Sequence, residues 1–378
     1  MSLDLSIIIP FIHEYPNIYG TVNNIQTELK DCNYSWEIIV AENGTIDENT
    51  PKAFTGTRAL YRAIMGDKIR YVFEPNQCGP VARNSGARIA RGKYLMFMDA
   101  HTTLGKNSIE PLIETLEKDS DCGCVSGLTA WSNYNKERLG SYYELFGGHG
   151  GPTLLTHMHG HYMPFGRVKS DKPFLAVMGS QAYTIYRKKD FFDVGGYFDG
   201  ARFYPHPEGY MPIKIWMCGK SVKINPDSWH LHGMFHRHYQ KGDAEKRIEM
   251  IKFAETIEEV REILQQPTTD DGHEKRQEYG GLSWHEHGKR NVLMIAYILG
   301  EEKWLNLCKE AVQASNELVE SAKETVHKYP AYKLLREKEV YGLDELLTTA
   351  RYSNHLDDTD EKIWGMEKWD KRIGVDPL

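Results

Sequence analysis

Arg91-Gly92-Lys93-Tyr94-Leu95-Met96-Phe97-Met98-Asp99-Ala100-His101 is the stretch whose reading decides the fold. Its apolar and aromatic run, bounded by Gly92 before and by Asp99 and His101 after, reads as a fully buried strand whose carboxyl end emerges at a surface. Residues two apart on an extended backbone face the same side, and open α/β sheets bind ligands outside the carboxyl ends of their strands. A carboxylate and an imidazole therefore converge on one point. Such a pair suits a divalent cation of the manganese kind, which accepts oxygen and nitrogen ligands together. Taken alone, Asp-x-His has a simpler reading, a turn cap followed by an ordinary loop histidine. The flanking chain shifts that weighting.

Upstream, Leu5-Ser6-Ile7-Ile8-Ile9-Pro10-Phe11 is a β-branched run that suits a buried parallel strand stopping at Pro10. A helical spacing of Ile18, Val22, Ile25 and Leu29 follows, then a second strand, Trp36 to Ala41. Strand, helix, strand in this order implies a right-handed parallel crossover. Asn43-Gly44 turns the chain sharply after the second strand and leaves Glu42 and Asp47 at the edge, where they either accept from a base or ribose or serve the turn alone. A third strand, Ile69 to Phe73, leads into a helix starting near Gly79-Pro80. Arg83 in its first turn runs against the macrodipole, so an anionic partner is expected, and a diphosphate would fit.

Downstream, Ser108 to Leu116 reads as a helix and Val125 to Ala130 as a strand. Residues 146–172 are rich in glycine and histidine (His149, His157, His159, His161); a lid or acceptor groove explains them better than a second metal site, because no cysteine or carboxylate flanks the run at ligand spacing. Phe174 to Tyr186 reads as a strand interrupted at Gly179, where a ligand or another backbone comes close. Glu208 precedes a short helix closed by Gly219, and Val222 to Ile224 makes a last strand before Trp229-His230-Leu231-His232. Beyond Lys241, helical spacing recurs in Ala244–Leu264, Lys289–Leu299, Trp304–Val326 and Tyr332–Leu347. His285 and His287, in the polar joint 265–288, read as an exposed loop pair. The expected division is residues 1–240 as an α/β domain with a mainly parallel, Rossmann-like sheet flanked by helices, and 241–378 as a helical C-terminal region.

A chain of 378 residues can bury a sizeable core. Its net charge of -7 creates no global basic field for nucleic acid or membrane. The six cysteines are scattered and read as reduced thiols. The apolar opening Leu5–Ile12 lacks the basic flank and length of a signal peptide, and no run approaches a membrane span. A soluble, cytoplasmic protein is expected.

Pro10-Phe11 with Glu14, Glu42 through Asp47, Asn76 through Gly86, and Gly92 through His101 together resemble the successive signatures of nucleotide-sugar glycosyltransferases of the GT-A fold, particularly family 2. Family 2 usually carries two aspartates where this chain has Glu42 and Asn43, and Asp-x-Asp where it has Asp99-Ala100-His101. The latter resembles the Asp-x-His of polypeptide N-acetylgalactosaminyltransferases, as do Gly179, Gly195-Gly196, and the acid ahead of a helix ending Trp216-Met217-Cys218-Gly219. The resemblance implies a metal-dependent transferase using a nucleoside-diphosphate sugar, UDP-sugar favoured, and a hydroxyl acceptor. It implies Mn2+ or Mg2+ on Asp99, His101 and His232, with His230 as the alternate. Donor contacts are implied for Pro10, Phe11, Glu14, Glu42, Asn43, Asp47, Arg83, Asn84, Asp99, Ala100, Gly179, Ser180 and Arg237. Glu208 is the candidate base, with a carboxylate held at a helix N-terminus as the competing reading. Stereochemistry stays open, because family 2 inverts and the Asp-x-His relatives retain. The acceptor is also open: some family-2-like phage enzymes glycosylate hydroxymethylated pyrimidines in DNA, and Lys328, Lys333, Arg336 and Lys338 would be available to phosphates. Two other classes compete. A nucleotidyltransferase would place a glycine-rich basic loop after the first strand, where this chain has Phe11-Ile12-His13-Glu14. A non-catalytic nucleotide-sugar binding protein would not need the three ligands.

Overall fold

β1 (Leu3–Phe11) is the spine of the sheet, pairing in parallel with β2 (Trp36–Asn43) on one side and β4 (Gly92–Met98) on the other. The computed structural model describes residues 3–12, 15–44, 69–76, 78–131, 142–145, 160–163, 171–176, 179–180, 182–203, 207–232, 282 and 284–348. β1 is buried on both faces, as a β-branched run must be when helices cover both sides of a parallel sheet. Alternation then sorts its side chains. Leu5, Ile7, Ile9 and Phe11 join one core with Ile18, Val22 and Ile25 of α1 (Tyr15–Glu28), while Ile8 joins the other with Val81 and Ala87 of α2 (Gly79–Ile89). Pro10 is tolerated because the β4 ladder ends at Ile8↔Phe97, so no partner awaits the missing N–H.

Gly92 opens β4 for a steric reason: a Cβ there would stand 2.5 Å from the Ser6 backbone nitrogen. Its N–H instead donates to Ser6 Oγ at 2.8 Å, and Ser6 Oγ donates to the buried Glu37 carboxylate at 2.7 Å. Tyr94, Met96 and Met98 face the α1 side and Leu95 and Phe97 the α2 side, so the deciding stretch is buried on both faces, as its composition requires.

The sheet continues through β3 (Ile69–Glu74), β5 (Thr102–Leu104), β6 (Cys122–Trp131), β9 (Phe174–Leu175), β10 (Tyr183–Arg187) and β11 (Ser221–His232); the strand order is β3-β2-β1-β4-β10-β6-β11-β5, with β9 also on β11. The order β3-β2-β1-β4 is parallel and β6 and β11 run the same way, so the sheet is mainly parallel as expected; β10 enters antiparallel between β4 and β6, and β5 and β9 run antiparallel to β11. Only sequential strands joined by a crossover helix have a direction legible from order. A separate hairpin pairs β7 (Tyr142–Leu145) with β8 (Gly160–Met163); the rest of the histidine-rich segment 146–172 lies outside the described residues, apart from 171–172.

α3 (Glu110–Lys118) covers the α1 face, and α4 (Lys188–Asp193) and α5 (Pro207–Met217) cover the other. The C-terminal helices α6 (Trp284–Val312, broken at Gly300–Glu301), α7 (Asn316–His327), α8 (Ala331–Lys338) and α9 (Leu343–Thr348) pack on that second face. Leu293, Ile295, Trp304 and Val326 share one core with Ile8, Phe97, Phe191 and Trp216. The expected helix 304–326 is interrupted, because Ser315 caps α7 by accepting from Leu318 N at 3.2 Å. The expected helix 244–264 lies outside the described residues. His287 corrects the reading of an exposed pair: it sits in the first turns of α6 and is buried, its ring edge-on to Phe203 at 5.0 Å. The side chain of His285 lies outside the described residues. Among the described residues no helix is long and apolar enough to cross a membrane.

Candidate active site

Where β4 ends, Asp99, Ala100 and His101 turn the chain into β5, and α1 holds that turn. Thr21 Oγ1 donates to the Ala100 carbonyl at 2.6 Å and accepts from Thr102 N at 3.2 Å, while Asn24 Oδ1 accepts from Leu104 N at 2.7 Å. β5 then pairs antiparallel with the far end of β11, placing His232 opposite Thr102. This register carries His232 to the Asp-x-His turn. Its Nε2 lies 3.2 Å from Asp99 Oδ2, and the His101 and His232 ring centroids are 5.0 Å apart.

Asp99, His101 and His232 each offer a ligand atom within 4.8 Å of the others. Around one octahedral ion at about 2.1 Å, neighbouring ligands stand ~3 Å and opposite ones ~4.2 Å apart, so small side-chain shifts bring one oxygen and two nitrogens round a single divalent cation such as manganese, which takes both ligand types. The Asp99 side chain is 26% exposed, which leaves it open to an incoming ion. Burial pushes its carboxyl up, but the Arg83 guanidinium, the His232 hydrogen bond and His101 outweigh that and hold it well below the usual carboxylate range. His230, the alternate, stands apart. It is fully buried, its ring 4.5 Å from Tyr183 and its Nε2 3.4 Å from Thr129 Oγ1, and burial pushes its imidazole well down, towards the neutral form.

The anion that Arg83 required is Asp99 itself: Nη2 lies 2.6 Å from Oδ1, with the guanidinium carbon 5.7 Å from the Tyr197 ring centroid. Tyr197 is held in turn by Asn84, whose Nδ2 donates to the Tyr197 carbonyl at 2.6 Å and to Asp199 Oδ1 at 2.8 Å while its Oδ1 accepts from Tyr197 N at 2.9 Å. Asn84 is therefore a clamp on the Gly195-Gly196-Tyr197 turn. Lys214 of α5 braces the same turn, donating from Nζ to Gly196 O at 2.5 Å. Tyr197, Thr21 and Lys214 carry no signal in the sequence: Gly195-Gly196 entered only through the resemblance, and nothing local sets the next ring beneath Arg83.

Of the other expected donor contacts, Glu42 and Asn43 are buried at the carboxyl end of β2, beside Phe11 in register. With its amide in the orientation that satisfies both ends, Asn43 Nδ2 donates to Phe11 O at 2.9 Å and its Oδ1 accepts from Cys78 N at 3.2 Å. Pro10 is buried one residue before the end of β1, and the Ala100 carbonyl is engaged by Thr21. At Gly179 an added Cβ would overlap the Ser126 hydroxyl. Ser180 is buried, its carbonyl accepting from Tyr183 N at 3.1 Å. Glu208 lies in the first turn of α5, but its side chain, like Glu14, Asp47 and Arg237, falls outside the described residues.

Residues 6–192 match the family described as "Glycosyl transferase family 2". N-acetylgalactosaminyltransferase 4 of Drosophila melanogaster is 25% identical over 235 residues, covering 57% of this chain and 33% of the relative. Polypeptide N-acetylgalactosaminyltransferase 12 of Mus musculus is 24% identical over 268 residues, covering 68% of this chain and 44% of the relative. The chain thus spans less than half the length of these curated relatives. The crystal structure of GalNAc-T7 with UDP, GalNAc and Mn2+ superposes with a TM-score of 0.51 at 15% identity, covering 89% of this chain and 56% of that one. A Rossmann-like order β3-β2-β1-β4, an Asp-x-His turn at the end of β4 and the family match over these same strands agree: residues 6–192 carry a glycosyltransferase family 2 domain, on a GT-A fold.

Proposed function

We propose that this protein transfers a sugar from a nucleoside-diphosphate sugar, with UDP-sugar favoured, to a hydroxyl acceptor. The observation that carries the reading is the convergence of Asp99, His101 and His232, from two places remote in sequence, at the carboxyl edge of the sheet. A divalent cation held by these three would supply Lewis-acid neutralisation of the leaving diphosphate. The protein's own share is positioning. Arg83 orients the Asp99 carboxylate and brings positive charge beside the diphosphate, Glu42 and Asp47, with Asn43 between them, would face the nucleoside, and Glu208 would take the acceptor proton. Residues 1–240 hold this machinery in our reading, and the helices α6 to α9 of the remaining region pack against it.

The relatives' printed names support an N-acetylgalactosamine-type donor, and a sugar of that class is the first to test. The six free cysteines support a reducing, cytoplasmic setting. For the acceptor, the cations of α8 are partly neutralised, Lys333 by Glu337 at 3.8 Å and Arg336 by Glu339 at 2.7 Å, which weakens the case for a DNA-facing helix. The deciding experiment is a thermal-shift panel of nucleotide sugars with and without Mn2+ on the wild type, Asp99→Ala and His232→Ala. A donor-dependent shift that needs Mn2+ and vanishes in both variants is expected. Full metal-dependent transfer by the two variants would refute the assignment.

A further inference from the structure

Asn291 of α6 grips one residue of the sheet domain by both backbone groups: Arg202 N donates to Asn291 Oδ1 at 3.2 Å, and Asn291 Nδ2 donates to Arg202 O at 2.7 Å. The next residue, Phe203, has φ +59°, a left-handed conformation that bulky side chains rarely adopt. Such a conformation persists only where the surroundings over-determine it. Three contacts do so here. Besides the Asn291 clamp, the buried His287 ring stands edge-on to Phe203 at 5.0 Å, and Phe203 forms a bridge with Cys78. Cys78 is the N-cap residue of α2, and its N–H, which donates to Asn76 O at 2.8 Å, also lies 3.2 Å from Asn43 Oδ1 when that amide donates to Phe11 O at the end of β1. An unbroken line of contacts therefore runs from the C-terminal helices to the strand edge, and α5 with Glu208 begins four residues after Phe203.

We propose that the first turns of α6 belong to the donor site: Asn291 and His287 are positioning residues that press Arg202–Phe203 onto Cys78 and so shape the nucleoside side of the pocket. The inference rests on the donor reading above. On this account the helical region is a working part of the transferase, and donor affinity depends on it through residues that never touch the donor.

The test uses the full-length chain and two titrations by calorimetry, UDP in the presence of Mn2+ and Mn2+ alone, on wild type, Asn291→Ala and His287→Ala. UDP affinity is expected to fall roughly tenfold in each variant, since small displacements far from the chemistry are costly there. Affinity for Mn2+ alone is expected to match wild type, because Asp99, His101 and His232 stand on other elements. The buried Cys78 thiol should also become open to a thiol reagent in Asn291→Ala while the chain remains folded by circular dichroism. Where Asn291→Ala does not fold, Asn291→Asp makes the same comparison, keeping the acceptor for Arg202 N and losing the donor to its carbonyl. A folded variant that binds UDP as wild type does overturns the inference alone. A wild type that binds no UDP with Mn2+ overturns the donor reading and takes this inference with it.

Discussion

Arg83 and Asp99 form an ion pair at the carboxyl edge of the sheet, Nη2 to Oδ1 at 2.6 Å, while the other oxygen of Asp99 lies 3.2 Å from His232 Nε2. The arginine thus commits one oxygen and leaves the second on the ligand side. Arg83→Met should cost about 1–3 kcal/mol, less than for a fully buried pair because Asp99 is partly exposed. It should also loosen the carboxylate, so that Mn2+ dependence shifts to higher concentration. Urea denaturation and a Mn2+ titration check the two parts separately.

Asn84 holds Tyr197 beneath that pair with two hydrogen bonds and reaches Asp199 with a third. Asn84→Ala leaves the buried N–H and C=O of Tyr197 without that partner and should destabilise the fold by about 2–4 kcal/mol. Asn84→Asp, which keeps the acceptor for Tyr197 N, should lose less. Equal stability of wild type and Asn84→Ala in denaturant would show the clamp to be ornamental.

Lys214 is buried in α5, and desolvation lowers its amine to about 7, with Cys218 and Asp199 opposing the shift. The unfolded chain binds a proton there up to the ordinary lysine range near 10.5, so between about 7 and 10.5 the unfolded state carries the extra proton and stability rises with pH. Below 7 the charged amine is buried and its cost is fully felt. Stability measured from pH 6 to 10 should therefore climb by a few kcal/mol more in wild type than in Lys214→Met. Parallel curves for the two proteins would count against a lysine that titrates in the core.

Gly179 packs its Cα against Ser126, whose hydroxyl lies 2.6 Å from Thr184 Oγ1. Gly179→Ala should break this contact and cost about 1–3 kcal/mol through overpacking. Adding Ser126→Ala should recover part of the loss, and a double-mutant cycle in denaturant measures how much.

Composition and periodicity were enough to find β1, β2, β3 and β4, because a strand buried on both faces needs a continuous apolar run and a crossover helix needs its own spacing. They also sufficed to set Asp99 and His101 on one side of a strand end, since two-residue alternation is a local property of extended backbone. The arrival of His232, 133 residues from Asp99, was legible only through resemblance; what places it is the antiparallel pairing of β5 with β11. The antiparallel entry of β10, the Arg83–Asp99 pair and the burial of His287 against Phe203 were settled by the tertiary structure alone. Local sequence specifies which face of an element is apolar, but not which remote element will cover it. That choice belongs to the whole chain, through the one packing that buries those faces and gives most buried polar groups a partner.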